Sequence, residues 1–256
     1  MAGTQVPARL TLAWIEKYCP PTQAASVAAL QQHVGVLSTD YANRNFEQMS
    51  RLDGAARYIE TEWTAKGLVV ESQKFIAQGS SFRNLIAGLG PDTRDVVVIG
   101  AHYDVAGTQP EADDNANGVA GLIELARLLK NAQLTTQVEM VAYTNEEPTF
   151  FRTPSMGSAV HAKALKASGK RESLMLSLEC IGYFSHLNFA HDGFVGMMVT
   201  DTAFYWNNAH HTPENTADRL DYVRMGKVVD GVHRTVLAQA GAAATHLAGD
   251  NAQRAP

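Results

Sequence analysis

Residues able to bind a metal ion follow three of the apolar, strand-like runs in this chain. The runs cover residues 96–99, 138–143 and 174–178, and their length and composition are typical of buried strands. The residues that follow them are His102 and Asp104, Glu146 and Glu147, and Glu179. Imidazole and carboxylate ligands without thiolates suit zinc in a hydrolytic site, and manganese or cobalt accept the same ligand types. The pattern therefore predicts a metal centre at the ends of several strands.

Two further groups of the same residue types lie outside the strands. Asp113 and Asp114 open an apolar helical pattern, and His210 and His211 lie in a loop before the last helix. Taken alone, an acidic pair in this position is typical of a helix cap or an Asx turn. Together with the three strand ends, these two groups give the chain five candidate sources of metal ligands.

The elements that must position these groups alternate along the chain. Helical spacing of apolar residues predicts helices over residues 10–18, 24–37, 52–63, 117–129, 158–167 and 225–239. Strands are predicted over residues 68–75, 82–87, 96–99, 138–143, 174–178 and 196–200, with Gly79, Ser80 and Ser81 as the first turn. This alternation predicts an α/β fold with a largely parallel sheet, whose chemistry lies at the carboxyl ends of its strands.

The domain organisation predicted from the sequence is a single domain over residues 1–256. Residues 1–45 would form N-terminal helices, and the Ala- and Gly-rich residues 241–256 would form a loose tail. No internal repeat or linker interrupts the pattern.

Composition excludes several classes of function. The chain has 45% hydrophobic and 18% charged residues and a net charge of −5, which favours neither nucleic-acid nor anionic-membrane binding. No apolar run reaches the roughly 18 residues of a membrane span, and the N-terminus lacks the pattern of a signal peptide. The compartment is left open. Two cysteines, Cys19 and Cys180, imply no disulfide framework, and Cys180 is expected to be a small buried residue.

Five sequence motifs in order resemble the M28 metallopeptidases, which are zinc aminopeptidases with two co-catalytic ions. The motifs are GAHYD, ADDNANGVAG, NEEP, a strand ending in an acid before Ile-Gly-Tyr, and HTPENTADRLDY, and they extend over roughly residues 30–235. The resemblance implies a three-layer α/β sandwich with a central mixed, largely parallel sheet. It also implies two zinc ions per chain and a peptide substrate with a free N-terminus.

The resemblance assigns a role to each motif residue. Asp113 would bridge both metals, and Asp114 would hold the turn into the helix. His102 and Glu179 would complete one metal site, with Asp104 orienting His102, while Glu147 and His211 would complete the other. Glu146 would be the general base that takes a proton from the metal-bridging water and passes it to the leaving amine.

The chain departs from the family pattern in two places. The segment between Glu179 and His211 is short, which predicts a more open substrate cleft. His210 stands where relatives often carry a Tyr that stabilises the oxyanion, so His210 is the candidate for that contact.

Three alternatives to an aminopeptidase are left open. A glutaminyl-cyclase-like acyltransferase would use a related one-metal site, so metal stoichiometry separates it from the peptidase. A carboxypeptidase would need cationic residues for the substrate carboxylate, and the sequence does not clearly place any. A catalytically weakened binding relative with a shortened cleft is the third alternative. Oligomeric state and the preferred N-terminal residue are not predicted.

Overall fold

The fold is taken from a computed structural model, which describes residues 24–181, 196–200 and 209–241. The helix expected at residues 10–18 and, apart from Gly241, the tail expected at 241–256 lie outside the described residues.

Two α-helices precede the sheet in the described residues 24–69. Helix α1 (Val27–Gly35) begins after Ser26, whose hydroxyl accepts a hydrogen bond from the backbone of Ala29 at 3.2 Å. Helix α2 (Met49–Ala65) buries the face that the sequence pattern predicts, which consists of Leu52, Ala56, Ile59 and Trp63. The chain leaves α2 through Gly67, whose φ of 88° lies in the region that favours glycine.

Six strands of the described part of the chain form one mixed sheet. Their bounds are β1 (Val70–Ala77), β2 (Ser80–Leu89), β3 (Asp95–His102), β4 (Gln137–Tyr143), β5 (Arg171–Leu178) and β6 (Gly196–Val199), and their order is β1-β2-β4-β3-β5-β6. Strands β1, β2 and β4 pair antiparallel, whereas the pairs β4–β3, β3–β5 and β5–β6 are parallel. The predicted Gly79-Ser80-Ser81 turn is wrong: the turn is Gln78–Gly79, both at positive φ, and Ser80 and Ser81 already pair in β2. Two residues with positive φ match the right-handed twist of a hairpin.

Helices cover both faces of this sheet. Helices α3 (Asn117–Leu129), α4 (Gly157–Ala167) and α5 (Tyr222–Ala240) follow β3, β4 and β6 in the chain. Successive side chains of a strand point to opposite faces. Accordingly, Val97 and Ile99 of β3 join the large apolar cluster formed with α1, α2, α3 and α5, while Val96 and Val98 join a smaller cluster beneath α4. The predicted three-layer α/β sandwich is confirmed.

The parallel pairing of β4, β3 and β5 decides where the chemistry lies. Their carboxyl ends at Tyr143, His102 and Leu178 reach the same edge of the sheet. No helix within the described residues is both long enough and apolar enough to cross a membrane.

Candidate metal centre

Side chains from the three strand ends converge as the sequence predicts. His102 is the last residue of β3, Glu147 follows β4, and Glu179 directly follows β5. The Nε2 atom of His102 lies 3.0 Å from Glu179 Oε1 and 3.9 Å from Glu147 Oε1. All three side chains are buried. The sheet edge therefore holds one imidazole and two carboxylates at distances that a shared metal ion can span.

Asp114, and not Asp113, occupies the middle of this group. One carboxylate oxygen of Asp114 lies 3.0 Å from His102 Nε2, and the other lies 3.1 Å from His211 Nε2. Asp113 instead accepts a hydrogen bond of 2.7 Å from the side chain of Asn117, the first residue of α3. Asp113 and Asp114 thus exchange the positions expected for them, and which of the two bridges metal ions stays a prediction.

The backbone of the loop before α3 explains this exchange. Asp114 has φ −115° and ψ 90°, an extended conformation, and Asn115 after it is also non-helical within the coiled segment Ala112–Ala116. Because an extended residue sends its side chain away from that of its neighbour, two adjacent aspartates point to different surroundings. Asp113 faces the start of α3, and Asp114 faces the two histidines.

His211 brings a second imidazole from the loop before α5. Its Nε2 atom lies 3.6 Å from Glu147 Oε2 in addition to its contact with Asp114. His210 stacks on His211 with ring centroids 4.0 Å apart, and its Nδ1 atom lies 3.5 Å from Asp114 Oδ2. His211 therefore faces two carboxylates of the group, while His210 lies beside it and close to Asp114.

Asp104 fixes the orientation of His102. The Nδ1 atom of His102 lies 3.1 Å from the backbone oxygen of Asp104 and 3.5 Å from its carboxylate. Since a carbonyl oxygen can only accept, Nδ1 carries the proton, and Nε2 presents its lone pair to the centre in the neutral ring. The other carboxylate oxygen of Asp104 accepts a hydrogen bond from the backbone of Glu147 at 3.1 Å, so Asp104 joins the ends of β3 and β4.

Glu146 is held by the first turn of α4. Its two carboxylate oxygens accept hydrogen bonds from the backbone and the hydroxyl of Ser158, at 2.7 Å and 2.8 Å. Burial raises the pKa of Glu146 to about 7, even though the bonds from Ser158 act to lower it. A carboxyl group with this pKa can both accept and release a proton near neutral pH.

The electrostatics of the group fit a divalent cation. Burial raises the pKa of Glu179 to about 8 and also raises that of Glu147. Hydrogen bonding to Asp114 raises the pKa of His211 to about 10. Burial acts to raise the pKa of Asp114, but its hydrogen bonds with His102 and His211 hold that pKa below its usual range. Buried carboxylates that outnumber the imidazoles leave an excess of negative charge, which metal ions would neutralise.

Among the described residues, two groups of three side chains each bring their ligand-capable atoms within 4.8 Å of one another, and both groups include Asp114. One group is His102, Asp114 and Glu147, and the other is Asp114, Cys180 and His210. Cys180 is buried as predicted, and burial raises the pKa of its thiol well above the usual value. The imidazole and carboxylate donors of the two groups fit zinc with Asp114 as the shared residue, whereas a protonated thiol is a poor zinc ligand.

Several residues of the centre were not predicted from the sequence. Ser158 opens α4 against Glu146, and the buried residues Arg44, Glu111 and Asn215 surround the loop that carries Asp114. Ser158 is a residue type that favours helix starts, which is a usable signal. Arg44 and Glu111 carry no such signal, since charged residues are usually exposed.

Known proteins share this fold and its motifs. The sequence profile "Peptidase family M28" matches residues 84–186, which include four of the five motifs. "Uncharacterized protein YfbL" of Escherichia coli K12 is 33% identical over 294 residues, covering 86% of this chain and 90% of that protein. The chain belongs to peptidase family M28.

Further relatives of this M28 peptidase carry functional names. A "Probable leucine aminopeptidase" of Arthroderma otae is 29% identical over 164 residues, covering 57% of this chain and 42% of that protein. Among solved structures, a glutaminyl cyclase of Porphyromonas gingivalis has a TM-score of 0.74 at 16% identity, covering 85% of this chain and 100% of that chain. A "Zn-dependent exopeptidase" of Parabacteroides distasonis has a TM-score of 0.70 at 15% identity, covering 84% and 98%. At these identities the two structures show the fold alone.

The alignment with YfbL also bears on chain length. It spans 294 residues, whereas this M28 peptidase has 256, so YfbL contains residues within the matched region that this chain lacks. Most of the short segment between Glu179 and His211 lies outside the described residues, and its effect on the cleft stays a prediction.

Proposed function

We propose that this M28 peptidase is a zinc-dependent aminopeptidase that removes N-terminal residues from peptides and holds two zinc ions. The observation that carries the proposal is the position of Asp114, whose two oxygens each contact a different histidine, at 3.0 Å and 3.1 Å. A carboxylate in this arrangement suits a bridge between two ions. The relative named as a leucine aminopeptidase supports the choice of reaction.

The proposed ligands divide into two sets that share Asp114. His102 and Glu179 would hold one ion, and Glu147 and His211 would hold the other. Bound zinc would supply the Lewis acidity that lowers the pKa of water and polarises the scissile carbonyl. Asp104 keeps the Nε2 lone pair of His102 directed at the centre.

Glu146 is the proposed general base. Its pKa of about 7 allows it to take a proton from the attacking water and to return that proton to the leaving amine. Ser158 holds both carboxylate oxygens and so limits the orientations that the base can adopt. His210, beside His211, is the proposed donor to the developing oxyanion.

A panel of aminoacyl chromogenic amides tests the proposal together with the metal content of the purified protein. We expect about two zinc ions per chain, and cleavage that falls by at least about 100-fold in Glu146→Gln, because the amide cannot accept the proton. Zinc content should be unchanged in this variant, since Glu146 is not a proposed ligand. Two bound zinc ions without cleavage of any amide would overturn the aminopeptidase assignment.

A glutaminyl-cyclase-like acyltransferase is the second candidate. The fold of the P. gingivalis cyclase matches this chain over the whole length of the cyclase and over 85% of this chain, which favours a cyclase-sized domain. One zinc ion per chain, with release of ammonia from N-terminal glutaminyl peptides and no cleavage of amides, would support this candidate instead.

A further inference from the structure

Asn215 connects the two loops that carry Asp114 and His211. It lies four residues after His211 and is buried. Its amide nitrogen donates to Glu111 Oε2 at 2.6 Å, and its amide oxygen accepts from the backbone of Asp113 at 2.8 Å. Its backbone oxygen accepts a third bond, from Ala112 at 3.1 Å. One side chain and its backbone thus contact three consecutive residues that lead into Asp114.

The chemistry of these partners fixes the orientation of the amide. The backbone N–H of Asp113 can only donate, so it must face the oxygen of Asn215, and the nitrogen must then face the carboxylate of Glu111. An aspartate at position 215 could keep the first bond but could not donate the second. In the pair formed by Asn215 and Glu111, Asn215 is therefore the donor and Glu111 the acceptor. Variants that exchange these two roles can test the pair.

Arg44 holds the same segment from the other side. Its guanidinium donates to the backbone oxygens of Leu37, Pro110 and Glu111 at 2.9 Å, 3.0 Å and 3.0 Å, and the residue is fully buried. The backbone of Glu111 is left-handed, with φ of 46°. Residues 110–113 are thereby held between Arg44 and Asn215 immediately before the chain reaches Asp114.

We propose that Asn215 and Glu111 form a positioning pair that sets the spacing between Asp114 and His211. His211 Nε2 lies 3.1 Å from Asp114 Oδ2, yet the two residues are 97 positions apart in the chain. The bonds of Asn215 join the two loops beside these ligands. The inference rests on the proposed function only in taking Asp114, Glu147 and His211 as metal ligands.

Exchange of donor and acceptor tests the pair. Asn215→Asp removes the amide donor and places two carboxylates against each other, whereas Glu111→Gln keeps an oxygen that can accept from Asn215. The double variant Glu111→Gln/Asn215→Asp restores one donor and one acceptor with their order reversed. Glu214→Gln, at the exposed neighbouring position, is the control for a change of charge beside Asn215.

The readout is the dissociation constant of each zinc ion, measured by competition with a chromogenic chelator, together with thermal unfolding of the zinc-free proteins. We expect Asn215→Asp to raise the dissociation constant of one of the two zinc ions by about 10–100-fold, which is the range typical of residues that orient ligands. The dissociation constant of the other ion should change less. The double variant should recover most of this loss. Glu111→Gln and Glu214→Gln should bind both ions nearly as wild type does.

Three results would overturn the inference. In the first, Asn215→Asp binds both ions as wild type does, and in the second the double variant binds no better than Asn215→Asp. In the third, both Asn215→Asp and Asn215→Ala fail to fold and the double variant does not restore folding, which would make Asn215 a core residue. Wild-type protein that binds fewer than two zinc ions would instead count against the proposed function.

Discussion

At the scale of single residues, the acidic pair before α3 makes the sharpest prediction. Asp114→Asn should lower zinc affinity by more than about 100-fold, beyond the loss typical of residues that only orient ligands, because an amide is a poor bridge between two ions. Asp113→Asn should stay within about tenfold of wild type, since its amide oxygen can still accept from Asn117. Chelator competition on the two isosteric variants measures both values. A larger zinc loss in Asp113→Asn would restore Asp113 as the bridge.

Residue types and their spacing predicted most of this centre but could not resolve the acidic pair. His102, Glu147 and Glu179 lie together because each stands at or after the end of a strand that the periodicity marks, and His211 joins them from the loop before α5. Asp113 and Asp114 are identical in chemistry and adjacent, so only the extended φ and ψ of Asp114 decide between them. That backbone conformation depends on contacts with distant residues such as Asn215, which no local pattern contains.

At the scale of elements, glycines decide how closely α3 approaches β5. A Cβ at Gly118 would overlap the side chain of Asn115 and lie 2.6 Å from the backbone oxygen of Leu178, whereas a Cβ at Gly231 in α5 would meet nothing within 4 Å. Gly118→Ala should therefore destabilise the protein by about 1–3 kcal/mol. Gly231→Ala should stabilise it by about 0.5–1 kcal/mol, because alanine loses less entropy in a helix. Urea unfolding of both variants measures this difference, and a stabilised Gly118→Ala would refute the close approach.

The elements themselves were largely predictable, because burial of one helix face or one strand face leaves a period in the sequence. The α3 bounds agree with the prediction at both ends, and β4 begins one residue earlier than predicted. The first hairpin turn was misplaced because Ser80 and Ser81 are turn-type residues that pair in β2. Turn chemistry indicates where a strand can end, while strand pairing decides where it does end.

At the scale of the whole molecule, the order of elements predicted the layers but not the contacts between distant segments. Strands alternating with helices imply a covered sheet, and the two apolar clusters on either face agree with this. The contacts of Arg44 with the loop before α3, and those of Asn215 with the same loop, join segments 66–104 positions apart. Such contacts arise only when the layers close, so they lie beyond what periodicity can predict.

Closure of the helical layer also makes global stability depend on pH. His33 of α1 is buried and shares a hydrogen bond of 2.6 Å with the hydroxyl of Tyr58 in α2. Burial lowers the pKa of His33 below its ordinary 6.5, with smaller opposing effects from Glu62 and Glu124 and a reinforcing one from Lys66. Because the unfolded chain then binds this proton more readily than the folded protein, the contribution of His33 to stability is lost as pH falls below about 6.5.

Replacement of His33 isolates this effect from all other titrating groups. In His33→Asn the amide can keep a hydrogen bond to Tyr58 but cannot take up a proton. The difference in free energy of unfolding between wild type and this variant should therefore narrow as the solution is acidified from about pH 8 to pH 5. Tyr58→Phe removes the hydrogen bond while His33 stays buried. A plot of its free energy of unfolding against pH should therefore run nearly parallel to that of wild type. Urea unfolding of the zinc-free proteins across this range provides the measurement. A gap that widens on acidification would mean that the folded protein binds the proton more tightly, and that burial does not dominate the pKa of His33.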